Sequence, residues 1–356
     1  MKVGTFFSGV GSPEQALKNL GIKHEVEFAC DIDKYAKQTY LKNFKPKLFA
    51  TDITALDMKD LPYVDLLVFG FPCQAFSMAG KRQGFEDTRG TLFYDALRYL
   101  KEHRPRYFIA ENVKGLLSHD NGKTFQTIID CLAKTTNYQM SLMPFDNLDY
   151  HIHYKVLNTK DFGIPQNRER IFIIGIRDDE DNNFNFPKEI PLELKLKDIL
   201  QDNTNSKYYL SEEQQQRLLD RTDVDIKNVD EPTCLDVYNK KLVKDTSICL
   251  TEPHHNNLRL VESIADYRSV NAVNKKHPMY GRYNKTPNIS SCLNSVDLMG
   301  VQYKSRIRRL TPIECERLQG FPDNFTEGVS DSQRYKQMGN TITVNVIELI
   351  IKNLIK

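Results

Sequence analysis

The chain has 356 residues, 40% of them hydrophobic, enough for a large buried core in one big domain or two smaller ones. Lysine and arginine total 49 against 47 acids, so the formal charge is only +2, and any phosphate-binding face has to be local rather than a property of the whole surface. The seven cysteines show no Cys-x-x-Cys pairing, which argues against a disulfide framework or a structural zinc and fits a reducing compartment. No apolar leader opens the chain and no run approaches about 18 apolar residues, so a soluble cytoplasmic protein without membrane contact is expected.

In the first half, short apolar runs alternate with helical patterns, the mark of parallel βαβ units. Val3 to Phe7 reads as a strand. A helix follows, with Ser12 expected as N-cap, Pro13 at the first helical position and Gln15 completing a capping box. Ala16, Leu17 and Leu20 form its apolar stripe, and Gly21 suits its C-terminal end. Glu25 to Cys30 and Val64 to Phe69 are further strands, separated by a helix from Asp33 to Asn43. Thr91 to Lys101 and Lys123 to Lys134 read as helices, Tyr107 to Ala110 as a strand, and Ile171 to Ile176 as a strand covered on both faces. From Asp181 the chain turns polar and rich in turn formers, with no sustained periodicity until Arg308. Periodicity returns at Pro312 to Leu318, and Thr343 to Leu354 is an apolar helix. The expected organisation is one domain from 1–180 plus 305–356 and a smaller, irregular one at 181–304.

Several residues in this pattern carry chemistry. Phe7-Ser8-Gly9-Val10-Gly11 follows the first strand, where glycines let backbone approach a ligand, although the same run serves equally as a tight turn beside a helix cap. Asp31, at the end of the second strand, is placed to accept hydrogen bonds from a ribose, and Asp52-Ile53 offers a polar-plus-apolar grip on an adenine ring, although each alone serves equally as a surface turn. After the fourth strand comes Phe71-Pro72-Cys73-Gln74-Ala75-Phe76-Ser77. A free cysteine is more often inert and buried. Cys73, however, stands at a strand's C-terminal mouth, and Glu111-Asn112-Val113 falls at the end of the next strand, so a nucleophile and an acid would lie side by side. Gln166-Asn167-Arg168-Glu169-Arg170 precedes the apolar strand and brings cations to the same face.

Pro-Cys-Gln at 72–74, Glu-Asn-Val at 111–113 and Gln-x-Arg-x-Arg at 166–170, in that order, resemble the motifs of the DNA (cytosine-5) methyltransferase family. The resemblance continues through Gly84 to Asp87, Arg89 to Phe93, Arg309 to Pro312, Gly320 to Pro322 and Gln337 to Thr341, and lapses only in the polar block. It implies a Rossmann-like α/β domain dependent on S-adenosylmethionine, which leaves as S-adenosylhomocysteine, with no metal, and a smaller target-recognition domain at 181–304. It implies catalytic roles for Cys73, Glu111, Arg168 and Arg170. Cys73 would add to carbon 6 of a cytosine flipped out of the duplex, Glu111 would hold a proton at nitrogen 3, Arg170 would hold the carbonyl oxygen, and Arg168 would act near the thiolate or the target phosphate. The cofactor would meet Phe7, Gly9 and Gly11 at its methionine end, Asp31 at its ribose and Ile32, Asp52 and Ile53 around adenine, with Pro72, Leu92, Asn340 and Thr341 closing the pocket.

Toward the substrate the resemblance implies the Phe71 carbonyl, Gln74, Ser77, Lys304 and Arg306, the last two in a basic cluster with Arg308 and Arg309 suited to phosphates. Thr5 stands where the family usually has aspartate, Ser12 replaces a frequent glycine, and Ile32 an aromatic. The expected partner is double-stranded DNA, the expected state a monomer, and the setting a restriction-modification pair whose endonuclease acts separately. A transfer-RNA cytosine-5 methyltransferase of the same fold is the alternative. A catalytically dead DNA-binding relative conflicts with the joint presence of Cys73, Glu111, Arg168 and Arg170. A dinucleotide oxidoreductase leaves Pro-Cys-Gln unexplained.

Overall fold

The computed structural model describes residues 1–72, 92–133, 148–226, 229, 231–250, 258–269 and 299–355, excluding the side chains of 263–269 and 299–305. The chain divides into two compact units: Met1–Glu193 with Leu250–His254 and Cys315–Lys356, and Leu194–Cys249 with His255–Glu314.

The first unit is built on a seven-stranded sheet. Its strands are β1 (Lys2–Phe6), β2 (Glu25–Cys30), β3 (Leu48–Ala50), β4 (Leu66–Gly70), β5 (Tyr107–Val113), β6 (Tyr150–Asn158) and β8 (Glu169–Arg177), with the two-residue β7 (Gln166–Asn167) outside it. The order is β3-β2-β1-β4-β5-β8-β6. The first five strands are parallel, as the alternation predicts, whereas β8 runs antiparallel to both β5 and β6. The central strands are apolar on both faces, and Leu66 to Phe69, Phe108 to Ala110 and Ile171 to Ile174 are all buried. A parallel sheet needs helices on its faces, and that cover explains continuous rather than alternating apolar runs.

The helices of this unit are α1 (Ser12–Asn19), α2 (Lys34–Asn43), α3 (Leu92–His103) and α4 (Lys123–Leu132). In α3, Phe93, Ala96, Leu97 and Leu100 recur at helical spacing and enter the core. The N-cap of α1 differs from expectation. Gly11 takes that position in left-handed backbone, no side chain caps the helix, and the Ser12 hydroxyl instead meets that of Thr341 at 2.6 Å. Gln15 donates to Asn19 rather than back to the cap.

In the second unit, α5 (Glu212–Thr222) starts with a capping box between Ser211 and Gln214. Three further strands are β9 (Thr233–Asp236), β10 (Lys241–Val243) and β11 (Ser247–Ile248). With β12 (Leu258–Ser269) and β13 (Met299–Arg308), β9 and β10 form an antiparallel sheet of order β10-β9-β12-β13. Its small core gathers Ile226, Leu235, Val261 and Ile307. The polar block thus holds more regular structure than its texture predicts. Arg308 is fully buried between Glu314, at 2.7 Å, and Glu262, at 2.8 Å, which removes it from the surface cluster expected to face phosphates.

The chain re-enters the first unit through α6 (Pro312–Leu318), which straddles the division, then α7 (Asp331–Asn340) and α8 (Val344–Leu354). Val344, Ile347, Ile350, Ile351 and Leu354 are the buried stripe of α8, which packs on α1 as the apolar C-terminus predicts. Asn19 donates to Glu348 across that contact at 3.0 Å.

Candidate functional site

The loop between β1 and α1 is forced into shape by three residues with positive φ: Phe7 at 52°, Gly9 at 55° and Gly11 at 92°. Asp31 completes the turn from the next strand end, its carboxylate accepting from the Gly9 amide at 2.7 Å and the Asp33 amide at 2.8 Å. Burial holds the Asp31 carboxyl above its ordinary range, against the pull of those two amides. A cavity opens beside this loop. One side is Thr5, Phe6, Phe7, Ser8 and Gly9, and the helix start adds Ser12 and Pro13. Val68, Phe69 and Gly70 of β4, Glu111 of β5 and the segment Asn340 to Ile342 complete the described wall.

Glu111 joins this cavity to a second group of residues. It and Arg170 occupy diagonal positions on the same face of the antiparallel pair β5 and β8, since Glu111 faces Phe172 and Val113 faces Arg170. The Arg170 Nε lies 3.1 Å from Glu111 Oε1. Gly70 is the parallel neighbour of Glu111, and a Cβ there would stand in ordinary contact, 3.4 Å from Glu111 Oε2. Burial raises the Glu111 carboxyl from its ordinary value, and Arg170 and then Arg168 act in the opposite direction without cancelling it. The site can therefore hold a proton on a carboxyl that also touches a guanidinium. Asn112 turns the other way and donates to the Phe71 carbonyl at 3.0 Å, tying the chain just before Cys73 to β5. That carbonyl has a second lone pair.

Arg168 is only 3% exposed. Its guanidinium donates to the carbonyls of Leu250 at 3.0 Å, Gly339 at 3.1 Å and Thr341 at 2.7 Å. It thereby fastens β7–β8 to the Asn340–Thr341 segment that walls the cavity, while its charge still reaches Glu111.

Of the expected cofactor contacts, Phe7, Gly9, Asn340 and Thr341 line the cavity, and Asp31 is hydrogen-bonded to its loop. Ile32 is 75% exposed, an unusual position for an aliphatic side chain. Asp52 caps the short turn Ile53–Ala55, and Ile53 itself is buried in the core. Gly11 is not part of the described cavity wall. A Cβ there would meet Phe44 at 2.5 Å, so its lack of a side chain serves packing. Leu92 is half-buried at the start of α3 and Pro72 is exposed. Arg306 is exposed with its guanidinium 4.0 Å above the Tyr209 ring. Cys73, Gln74 and Ser77 lie outside the described residues, as does the Lys304 side chain. Among described cysteines, burial pushes the thiols of Cys30 and Cys234 up to about 12 and that of Cys131 to about 11, where thiolate is scarce.

The cavity also contains residues to which sequence reasoning gave no site role, namely Pro13, Val68, Gly70 and Ile342. Only their nearness in sequence to the glycine loop, to Phe71-Pro72-Cys73 and to Asn340-Thr341 signalled them. The wall has small, hydroxyl and amide groups, and the Asp31 carboxylate is hydrogen-bonded to the loop that lines it, a donor and acceptor set that fits S-adenosylmethionine. Among the described residues no cluster of three or more His, Cys, Asp or Glu could hold a metal ion, and no helix is long and apolar enough to cross a membrane.

Comparison with known proteins matches the whole chain, residues 1–356, to the family model described as C-5 cytosine-specific DNA methylase. An orphan methyltransferase of Bacillus phage SPR, M.SPRI, is 34% identical, covering 100% of this chain and 97% of its own length. The type II methyltransferase M.Bsp6I of Bacillus sp. strain RFL6 is also 34% identical, covering 100% and 99% respectively. Among solved structures, a Spodoptera frugiperda DNMT2 variant superposes with a TM-score of 0.67 at 19% identity, over 100% of this chain and 99% of that one. At that identity the superposition speaks for the fold.

Proposed function

The chain belongs to the C-5 cytosine-specific DNA methylase family, and on that premise we propose that it methylates carbon 5 of cytosine within a short duplex DNA sequence, using S-adenosylmethionine and a covalent Cys73 adduct. The observation that supports this most is the position of Glu111, which forms part of the cavity wall beside the glycine loop and is paired with Arg170.

When bound, S-adenosylmethionine supplies an electrophilic methyl group; Phe7, Gly9, Asn340 and Thr341 would hold it, with Asp31 at the ribose and Ile32, Asp52 and Ile53 toward adenine. Pro72 and Leu92 flank the opening in this reading, and Gly11 acts through packing. Carbon 5 of cytosine is a poor nucleophile, and a thiolate adding to carbon 6 forms a carbon–sulfur bond and displaces an electron pair toward nitrogen 3. Glu111, whose carboxyl burial raises, shares a proton there, so the resulting enamine is nucleophilic at carbon 5. Arg170 holds the cytosine carbonyl oxygen, and the Phe71 carbonyl accepts from the exocyclic amine. Loss of the carbon-5 proton to water and departure of the Cys73 thiolate restore the aromatic ring. Arg168 is a positioning residue for the cavity wall. The base must leave the duplex to reach this site, at a cost of a few kcal/mol. Gln74 and Ser77 close over it, and the second unit recognises the target, with Lys304 and Arg306 on phosphates. The setting is a cytoplasmic monomer acting on double-stranded DNA, with any cognate restriction endonuclease acting separately.

The test is transfer of a labelled methyl group to DNA containing 5-fluorocytosine, in which fluorine cannot leave and the adduct is trapped. A denaturation-resistant complex that disappears in Cys73→Ala is the expected result. Labelling of transfer RNA in preference to duplex DNA would overturn the choice of substrate.

A further inference from the structure

Glu14, in the first turn of α1, has no part in the chemistry above and is completely buried. Its Oε1 accepts from the Tyr40 hydroxyl at 2.6 Å and from the Thr5 hydroxyl at 3.1 Å, while Oε2 is buried with no hydrogen-bond partner. Burial raises its carboxyl above the ordinary range, against the pull of Tyr40, its own backbone amide and Thr5. A buried carboxyl with half of its bonding capacity unused is costly, and an apolar side chain would fill the space at less expense to stability. A reason other than packing is therefore needed.

The partners of Glu14 supply one. Thr5 lines the cavity and its hydroxyl lies 2.8 Å from that of Ser8, which also lines it. Ser8 in turn accepts from the Cys30 amide at 2.9 Å. With Glu14 as acceptor, the Thr5 hydroxyl has a set orientation rather than a free rotor, whereas the Ser8 hydroxyl also has the Thr5 and Cys30 carbonyls as acceptors, at 3.0 and 3.2 Å. Tyr40, the other donor, lies against the place where a Gly11 Cβ would be, at 3.2 Å. One carboxyl thus braces the strand end and the floor beneath the far end of the same loop.

We infer that Glu14 is a positioning residue for the cofactor, orienting the Thr5 hydroxyl beside the amino-acid end of S-adenosylmethionine. This rests on the proposed cofactor and its seat on the glycine loop. Loss of the acceptor frees the Thr5 hydroxyl to rotate and unpins Tyr40, and the amino-acid end loses a preformed contact. The adenosine end, held on β2 and beyond, is not touched by this network.

The experiment measures binding of S-adenosylhomocysteine and of methylthioadenosine, which lacks the amino-acid end, to the full chain by calorimetry. In Glu14→Ala, S-adenosylhomocysteine affinity is expected to fall about tenfold, the equivalent of one hydrogen bond, with methylthioadenosine affinity held. Glu14→Gln keeps an accepting oxygen and restores S-adenosylhomocysteine binding. Should Glu14→Ala fail to fold, Thr5→Val carries the test, since it removes the donor while preserving shape, and the same selective loss is expected. Unchanged S-adenosylhomocysteine affinity in the variant that folds, or equal loss of both ligands, would overturn the inference. Wild-type protein that binds neither ligand would overturn the cofactor reading itself, and this inference with it.

Discussion

The Arg170 guanidinium sits 3.1 Å from the Glu111 carboxyl, yet that carboxyl stays above its ordinary range. Burial outweighs the neighbouring cation, so the pair holds its carboxyl more basic than an exposed ion pair would.

For Glu111, the proposed mechanism predicts a rate that falls as pH rises through the raised native value, because that mechanism uses the protonated form. Glu111→Gln should lower kcat by about 10²–10⁴ and remove that limb of the profile. Stability has the same sign. The native state keeps a proton that the unfolded chain releases near 4.5, so unfolding free energy declines as pH climbs from there through the native value. Denaturant titrations of wild type and Glu111→Gln across that window check it; parallel curves would count against a retained proton.

Arg168 donates to three carbonyls from a buried position. Lysine cannot reproduce that fork. Arg168→Lys should therefore cost about 2–4 kcal/mol of stability, by leaving buried acceptors unmatched, and should also weaken S-adenosylhomocysteine binding. An unchanged melting temperature with lost kcat would instead place Arg168 at the substrate.

Gly11 combines a φ of 92° with a neighbouring Phe44 ring that a methyl group would strike. Gly11→Ala is expected to destabilise by about 2–4 kcal/mol, from left-handed strain and overpacking together. Thermal unfolding measures it, and Phe44→Leu in the same chain should recover part of the loss.

In the second unit, Arg308 and Glu314 are a fully buried pair. Arg308→Ala leaves two carboxylates without their cation and should cost about 3–5 kcal/mol. Hydrogen exchange should report the opening in β12 and β13, with S-adenosylhomocysteine binding by the first unit preserved. Loss of that binding together with the exchange protection would show that the two units do not unfold separately.

Much of the first unit was legible because burial on both faces leaves continuous apolar runs, as in β4 and β8, and amphipathic helices leave a 3.6-residue period, as in α3. Elements without such a trace went unread. Strand β6 carries His151, His153 and Lys155 among its apolar residues, and α7 is almost wholly polar along Asp331 to Lys336. The direction of β8 was not legible either, since side-chain alternation is the same in parallel and antiparallel strands.

By itself the sequence determined the reaction class, because Pro-Cys-Gln, Glu-Asn-Val and Gln-x-Arg-x-Arg are local motifs whose order survives without any coordinates. Tertiary structure alone decided that Ser12 meets Thr341 instead of capping its helix, that Arg168 spends its fork on backbone carbonyls, and that Glu14 stands behind the cavity. Each of these depends on a polar group whose partner is distant in the chain, and periodicity reports only which side of an element is buried, not what it meets there.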